Sequence, residues 1–184
     1  YHDNKKYNIT DALFIIGTGK ILNIPNELIA QFLKTTKALE HRLENFFLKK
    51  NTLFVNDSKG TNVESTVKAI EAFKNKVVLI AGGENKKICN DELIKKINER
   101  VGFVYLIGET GTILAEEMDK VGYKKYKNLG TLEKVLLDIR ENIDFEDGQT
   151  ILFSPATASF DQFKNFEERG RIFKELTNKI LGEK

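Results

Sequence analysis

The chain has 184 residues, room for one sizeable core and an appendage at the usual ~100–200 residues per domain. With 41% hydrophobic and 30% charged residues and a formal net charge of +2, it has an ordinary globular composition and no charge excess that argues for nucleic acid or a membrane surface. No apolar run approaches the ~20 residues of a membrane span, no signal peptide is visible, and the single cysteine, Cys89, excludes an internal disulfide framework and suits a reducing cytoplasm.

The only methionine is Met118 and the first residue is Tyr1, which leads us to expect a processed chain or a piece cut from a longer protein. In chain order, Ile9, Leu13, Ile16 and Ile21 recur at near-helical spacing and predict a helix over 8–22. A second helix follows Pro25, with Leu28, Ile29 and Phe32 on one face; proline just inside a helix start is the usual signal. TKALEHRLEN (36–45) reads as a linker, and FFLKKNTLFVND (46–57) as a strand pair around a Lys-Lys-Asn turn.

A helix over 62–73 then buries Val63, Val67, Ile70 and Phe73. VVLIAG (77–82) is continuously apolar, the mark of a strand covered on both faces. Helix 91–100, strand 103–108, helix 110–121, a weaker strand around 124–129, helix 132–142, strand 150–155 and a terminal helix complete the pattern. Alternating strands and helices of this length predict an α/β fold, a Rossmann-like mostly parallel sheet flanked by helices and preceded by a short helical stub.

In such sheets ligands sit at the carboxyl ends of the strands. The loops expected there read NDSKGTN (56–62), AGGENKK (81–87), IGETG (107–111) and SPATASFDQF (154–163). In the first, Thr61 to Glu64 fits a capping box, while Asp57 and Lys59 suit ribose hydroxyls and a phosphate or carboxylate; the two readings are compatible. In the second, two glycines let backbone N–H groups approach a ligand, with Lys86 and Lys87 at the loop end, and a plain turn with solvated lysines reads equally well. In the last, Ser159 to Gln162 fits a capping box at a helix start, and the small residues before it leave N–H groups for a carboxylate. Phe163, Phe166 and Phe173 read as core by helical spacing.

Other features carry no chemistry. GTGK (17–20) lacks the G-x-x-x-x-G-K-[ST] spacing and falls inside a helical pattern. His2 and His41 read as structural or solvated, Cys89 as a bystander, and no His/Cys group has metal-ligand spacing, so no metal site is expected within these residues.

Together NDSKGTN, LIAGGENK and SPATASFDQFKNFEERG, in this order, resemble the C-terminal domain of the Mur ligase family, in its D-glutamate-adding branch. ALEHRLE resembles that family's junction between central and C-terminal domains, and YNITDAL the last helices of its central domain. The resemblance implies that residues 1–45 are the end of the central, ATP-binding domain with its linker and 46–184 the glutamate-binding domain. It implies an ATP- and Mg2+-dependent enzyme that joins D-glutamate to UDP-N-acetylmuramoyl-L-alanine through an acyl phosphate, a cytoplasmic monomer with no nucleic-acid or membrane partner, its magnesium ligands lying outside these residues.

Residue by residue, it implies that Thr61, Lys86, Ser159, Phe160 and Phe166 hold D-glutamate. Asp57 is then matched to the ATP ribose, Arg42 to the phosphates, Asn8 to the adenine, and Lys59 to a catalytic place on the reacting side of the cleft. Three positions depart from the family pattern: Glu84-Asn85 for Asp-Gly, Tyr7 for the histidine before Asn8, and Gly60 where alanine is common. Two alternatives remain on the sequence: a non-catalytic α/β module for a metabolite or nucleotide, or a ligase of the same superfamily for another amino acid.

Overall fold

The computed structural model describes residues 9–35, 39–85 and 89–182, and the chain divides into two compact units, Tyr1–Glu40 and His41–Lys184. In the first, α1 (Ile9–Ile21) and α2 (Asn26–Thr35) flank a turn with Asn23 at φ 55°, and the Pro25 carbonyl accepts from the Leu28 and Ile29 amides. The helices close where Gly19 meets Ile29: a Cβ at Gly19 would stand 2.6 Å from Ile29 Cδ1. Of the expected face only Ile29 is buried, while Leu28 and Phe32 are more than half exposed. Two helices of this length can cover only one narrow stripe between them.

The second unit is a six-stranded sheet in the order β1-β2-β6-β3-β4-β5. The antiparallel pair β1 (Glu44–Lys49) and β2 (Thr52–Asn56) forms one edge, and β6 (Thr150–Phe153), β3 (Val77–Gly82), β4 (Val101–Ile107) and β5 (Tyr126–Gly130) run parallel to β2. Helices α3 (Val63–Glu71), α4 (Asp91–Arg100) and α5 (Thr110–Lys120) pack on one face, and α6 (Leu132–Asn142) and α7 (Phe166–Leu181) on the other. Strand β3 shows why its sequence is apolar throughout: Val77, Leu79 and Ala81 join the first core, Val78 and Ile80 the second.

Two expected helix starts move. Asn62, not Thr61, caps α3, its side chain accepting from the Ser65 amide at 2.8 Å. The terminal helix begins at Phe166 and not at the Ser159 box. Asn165 accepts from the Glu168 amide and the Glu168 carboxylate accepts from the Lys164 amide, each at 2.7 Å, two bonds that fix the start there. Residues 159–165 form a turn instead, with Ser159 O accepting from the Gln162 and Phe163 amides. The Asp161 carboxylate, free of any capping duty, accepts from the Glu109 amide across the rim at 3.2 Å.

Candidate functional site

Strands β2, β6, β3, β4 and β5 are mutually parallel, so the loops that follow them leave one rim of the sheet. Asp57 stands at the end of β2 and is buried. Its Oδ2 accepts from Ser154 Oγ at 2.6 Å, its Oδ1 from the Leu43 amide at 3.2 Å, and Ser154 Oγ also contacts Thr66 Oγ1 at 2.9 Å. Burial pushes the carboxyl up to about 6, against the pull of the Ser154 and Leu43 hydrogen bonds and the Arg42 charge. Among the described residues, two of roughly four lone-pair sites on the carboxylate are used. Gly60 closes the turn, its carbonyl accepting from the Ala156 amide at 3.0 Å. A Cβ there would stand 2.7 Å from both Asp57 Oδ2 and Ser154 Oγ, so glycine suits this tightly drawn loop.

Beneath these loops lies a residue to which the sequence assigns no role. Arg169 is fully buried; its Nε donates to Ser58 Oγ, its Nη2 to Ser58 O and its Nη1 to Thr157 O, at 2.9–3.0 Å. It thereby ties the β2 loop to the β6 loop, and Ser58 Oγ extends the link by donating to Phe166 O at 2.9 Å. Burial lowers Arg169 to about 10, with the Asp161 charge opposing, so the guanidinium is a cation at neutral pH. The readable signal was its spacing: Arg169 lies in FEERG, four residues before the core residue Phe173, on the stripe that α7 buries.

The glycine loop had two equal readings, an anion site and a plain turn. Its consecutive backbone N–H groups are all given to the protein: Gly82 to Pro155 O, Gly83 to Thr110 Oγ1, Glu84 to Ala158 O and Asn85 to Glu109 Oε2. Among the described residues of the loop, 82–85, the amides are thus engaged with the protein and not turned to an anion. Its glycines serve close approach instead. Gly82 and Gly83 have φ of 114° and 152°, and a Cβ on them would stand 2.1 Å from Ile107 O and 2.5 Å from Ala158 O.

Of the sequence-predicted residues, Lys59 is exposed, with its Nζ 6.0 Å from the centroid of the half-buried Phe166 ring and its amide donating to His41 O. Thr61 is half-buried one residue before the α3 cap; Arg42 is exposed, and its charge is felt at Asp57. Ser159 is buried and Phe160 is 64% exposed beside it. Asn8 and Lys86 lie outside the described residues. Lys59 and Phe166 are thus drawn together, with Ser58, next to Asp57, bonded to the Phe166 carbonyl, and Ala158, next to Ser159, is tied to the glycine loop. A groove between α3 and α4, lined by Glu64, Lys68, Glu71, Lys95, Lys96 and Glu99, lies on the helical flank and its charges are largely spent on one another, as in Lys96 with Glu71 and Glu99.

Comparison with known proteins agrees with this geometry. Residues 41–157 match the family described as Mur ligase, glutamate ligase domain. The UDP-N-acetylmuramoylalanine–D-glutamate ligase of Fusobacterium nucleatum is 43% identical over 178 residues, 96% of this chain and 41% of that protein. The ligase of the same name from Caldicellulosiruptor bescii is 37% identical over 177 residues, 96% of this chain and 38% of that one. The chain spans about two fifths of the length of the curated relatives it matches. Among solved structures, MurF from Acinetobacter baumannii superposes with a TM-score of 0.61 at 18% identity, over 84% of this chain and 35% of that one. MurF ligase from Thermotoga maritima in complex with ADP gives 0.55 at 17% identity, over 89% and 37%. Fold, rim and a family match over more than half of its residues agree, and the chain belongs to the Mur ligase family through its glutamate ligase domain.

Proposed function

We propose that the chain is the amino-acid-binding part of an ATP-dependent ligase that joins D-glutamate to UDP-N-acetylmuramoyl-L-alanine in peptidoglycan precursor synthesis, a step on which cell shape and division depend. The observation that carries this is the 43% identity, over 96% of the chain, to a ligase named for that reaction. In this reading residues 1–45 close the central domain and 46–184 form the glutamate-binding domain. ATP, with Mg2+ held outside these residues, supplies the phosphoryl group that activates the substrate carboxylate as an acyl phosphate. The enzyme works as a cytoplasmic monomer; among the described residues no helix is long and apolar enough to cross a membrane.

Thr61, Lys86 and Ser159, with Phe160 and Phe166, seat the dianionic amino acid. The buried Arg169 cation beneath the same loops makes the rim favourable to carboxylates, and charge-assisted hydrogen bonds of this kind contribute roughly 1.5–3 kcal/mol each. Asp57 takes the ATP ribose, where its remaining acceptor sites suit hydroxyl donors, with Arg42 near the phosphates and Asn8 by the adenine. Lys59, held over Phe166, faces the reacting groups.

Two assays test the reading. The 184-residue chain has no G-x-x-x-x-G-K-[ST] loop, so with ATP, Mg2+, D-glutamate and the muramoyl-alanine nucleotide it releases no phosphate above blank. Joined to the UDP-binding and phosphate-loop domains, it turns over with D-glutamate far better than with L-glutamate or diaminopimelate. Turnover by the chain alone refutes the division of labour. A preference for another amino acid moves the chain to a sibling activity, and saturable ligand binding with no turnover in the all-domain protein makes it a binding module.

A further inference from the structure

The first turn of α7 grips the loop after β2 at several points. Ser58 Oγ donates to Phe166 O at 2.9 Å, Asn56 Nδ2 donates to Gly170 O at 3.2 Å, and Asn56 Oδ1 accepts from the Ser58 amide at 3.1 Å. Arg169 adds the three bonds of its fork, Nε to Ser58 Oγ, Nη2 to Ser58 O and Nη1 to Thr157 O. All three acceptors are uncharged oxygens, and the guanidinium carbon lies 5.9 Å from the centroid of the buried Phe153 ring. The neighbours of Ser58 in sequence are Asp57 and Lys59, and Ser159 follows Thr157 by two residues. One side chain therefore joins the two loops that carry these groups.

We propose that Arg169 is a positioning residue for the ligase reaction: its planar fork holds Asp57 and Lys59 in register with Ser159, and so sets the nucleotide-facing loop against the amino-acid-facing one. This rests on the reading of the chain as the D-glutamate-binding part of a ligase. Ser58 and Thr157 lie past the ends of β2 and β6, outside the strand ladder, and buried carbonyls there need donors. A guanidinium presents its N–H groups in fixed directions, so two carbonyls bound to one fork keep one separation; an ammonium on a flexible stem is a point charge and fixes no such geometry. Uncharged acceptors offset the desolvation of a buried cation only in part, so gross stability is a poor reason for an arginine here. The same loops also meet through the Ala156 amide on Gly60 O and Ser154 Oγ on Asp57 Oδ2, and Arg169 carries the linkage past Ala156 to Thr157, towards Ser159.

The test uses the all-domain ligase with Arg169→Lys and Ser58→Ala. Lysine keeps the charge and most of the stem but loses the fork; alanine at 58 removes the partner of Nε and the tie to Phe166 with a small change in volume. Arg169→Lys is expected to raise KM for D-glutamate and for ATP each about tenfold, and Ser58→Ala each about threefold. A merely structural role would lower kcat through a smaller active fraction and leave both KM values alone. A role of charge alone would keep Arg169→Lys within about twofold of wild type, and either result overturns the proposal. In the 184-residue chain, the Ser58 and Lys59 amides of Arg169→Lys are expected to exchange about tenfold faster relative to those of Leu79 and Ile80 in β3. Equal acceleration at both places would mark a loss of global stability only and overturn the tie. Should Arg169→Lys fail to fold, Ser58→Ala decides on the same readouts. If the wild-type ligase takes D-glutamate and neither variant shifts the KM values, the positioning role is overturned and the functional reading stands. If the wild type takes no D-glutamate, the reading itself falls, and the positioning role falls with it.

Discussion

Asp57 is the residue whose chemistry the fold changes most. In the unfolded chain it titrates at an ordinary 3.8, and in the folded one at about 6. Well below pH 4 it is protonated in both states and has no effect on stability. As pH rises from 4 to 6 the unfolded state ionises first, so folding weakens, and above 6 the full penalty of about 3 kcal/mol persists. Asp57→Asn retains an acceptor for the Leu43 amide and loses the titration. Urea unfolding between pH 4 and 7 is therefore expected to show wild type losing about 2–3 kcal/mol relative to Asp57→Asn, and parallel profiles would refute the burial argument. The sequence placed Asp57 at a strand end facing ligand, but said nothing of Ser154 and Leu43, 97 and 14 residues away, that bond it. Arg169 is a comparable case. Its spacing places it on the buried stripe, but no local pattern shows the Ser58 hydroxyl and the Ser58 and Thr157 carbonyls that converge on it and make a buried guanidinium tolerable.

At the scale of elements, the helix–strand alternation was legible because each helix carries its apolar stripe and the central strands are apolar on both faces; α4 and α6 coincide with their expected limits. What failed was the choice between adjacent capping residues. Thr61 and Asn62 are both competent, and the path of the chain out of β2 decides: Thr61 is drawn into the tight turn at Lys59, to whose carbonyl its amide donates at 2.9 Å, leaving Asn62 with extended backbone at the cap. Asn62→Ala is expected to lower stability by about 1 kcal/mol and Thr61→Ala by less than about 0.5, measured by urea denaturation. A larger loss for Thr61→Ala would return the cap to Thr61. Ser159 fails as a helix start for a comparable reason, since further on Asn165 accepts from the Glu168 amide and Glu168 from the Lys164 amide.

Across the whole molecule, both core clusters draw their members from residues beyond 45, so the second unit carries its own hydrophobic stabilisation. In the first, among the described residues, α1 and α2 bury little more than Ile29 and leave Leu13, Phe14, Ile21 and Leu22 mostly exposed. A chain trimmed to His41–Lys184 is therefore expected to unfold cooperatively, with Tm within about 4 °C of the longer one, and amides of α1 and α2 in the full chain to exchange much faster than those of β3 and β4. Loss of the cooperative transition on trimming would contradict this independence.

Local periodicity and turn chemistry by themselves determined the α/β class, the order of strands and helices among the described residues and the rim at which the strand-end loops gather, because 3.6- and 2-residue repeats and the right-handed parallel crossover leave little else to choose. Tertiary structure alone decided how that rim is held: which hydroxyl grips Gly83, which carbonyls accept from Arg169, and that residues 82–85 give their amides to the protein. Those bonds join residues 12 to 111 positions apart, and no local pattern along the chain records a hydrogen bond over such a separation.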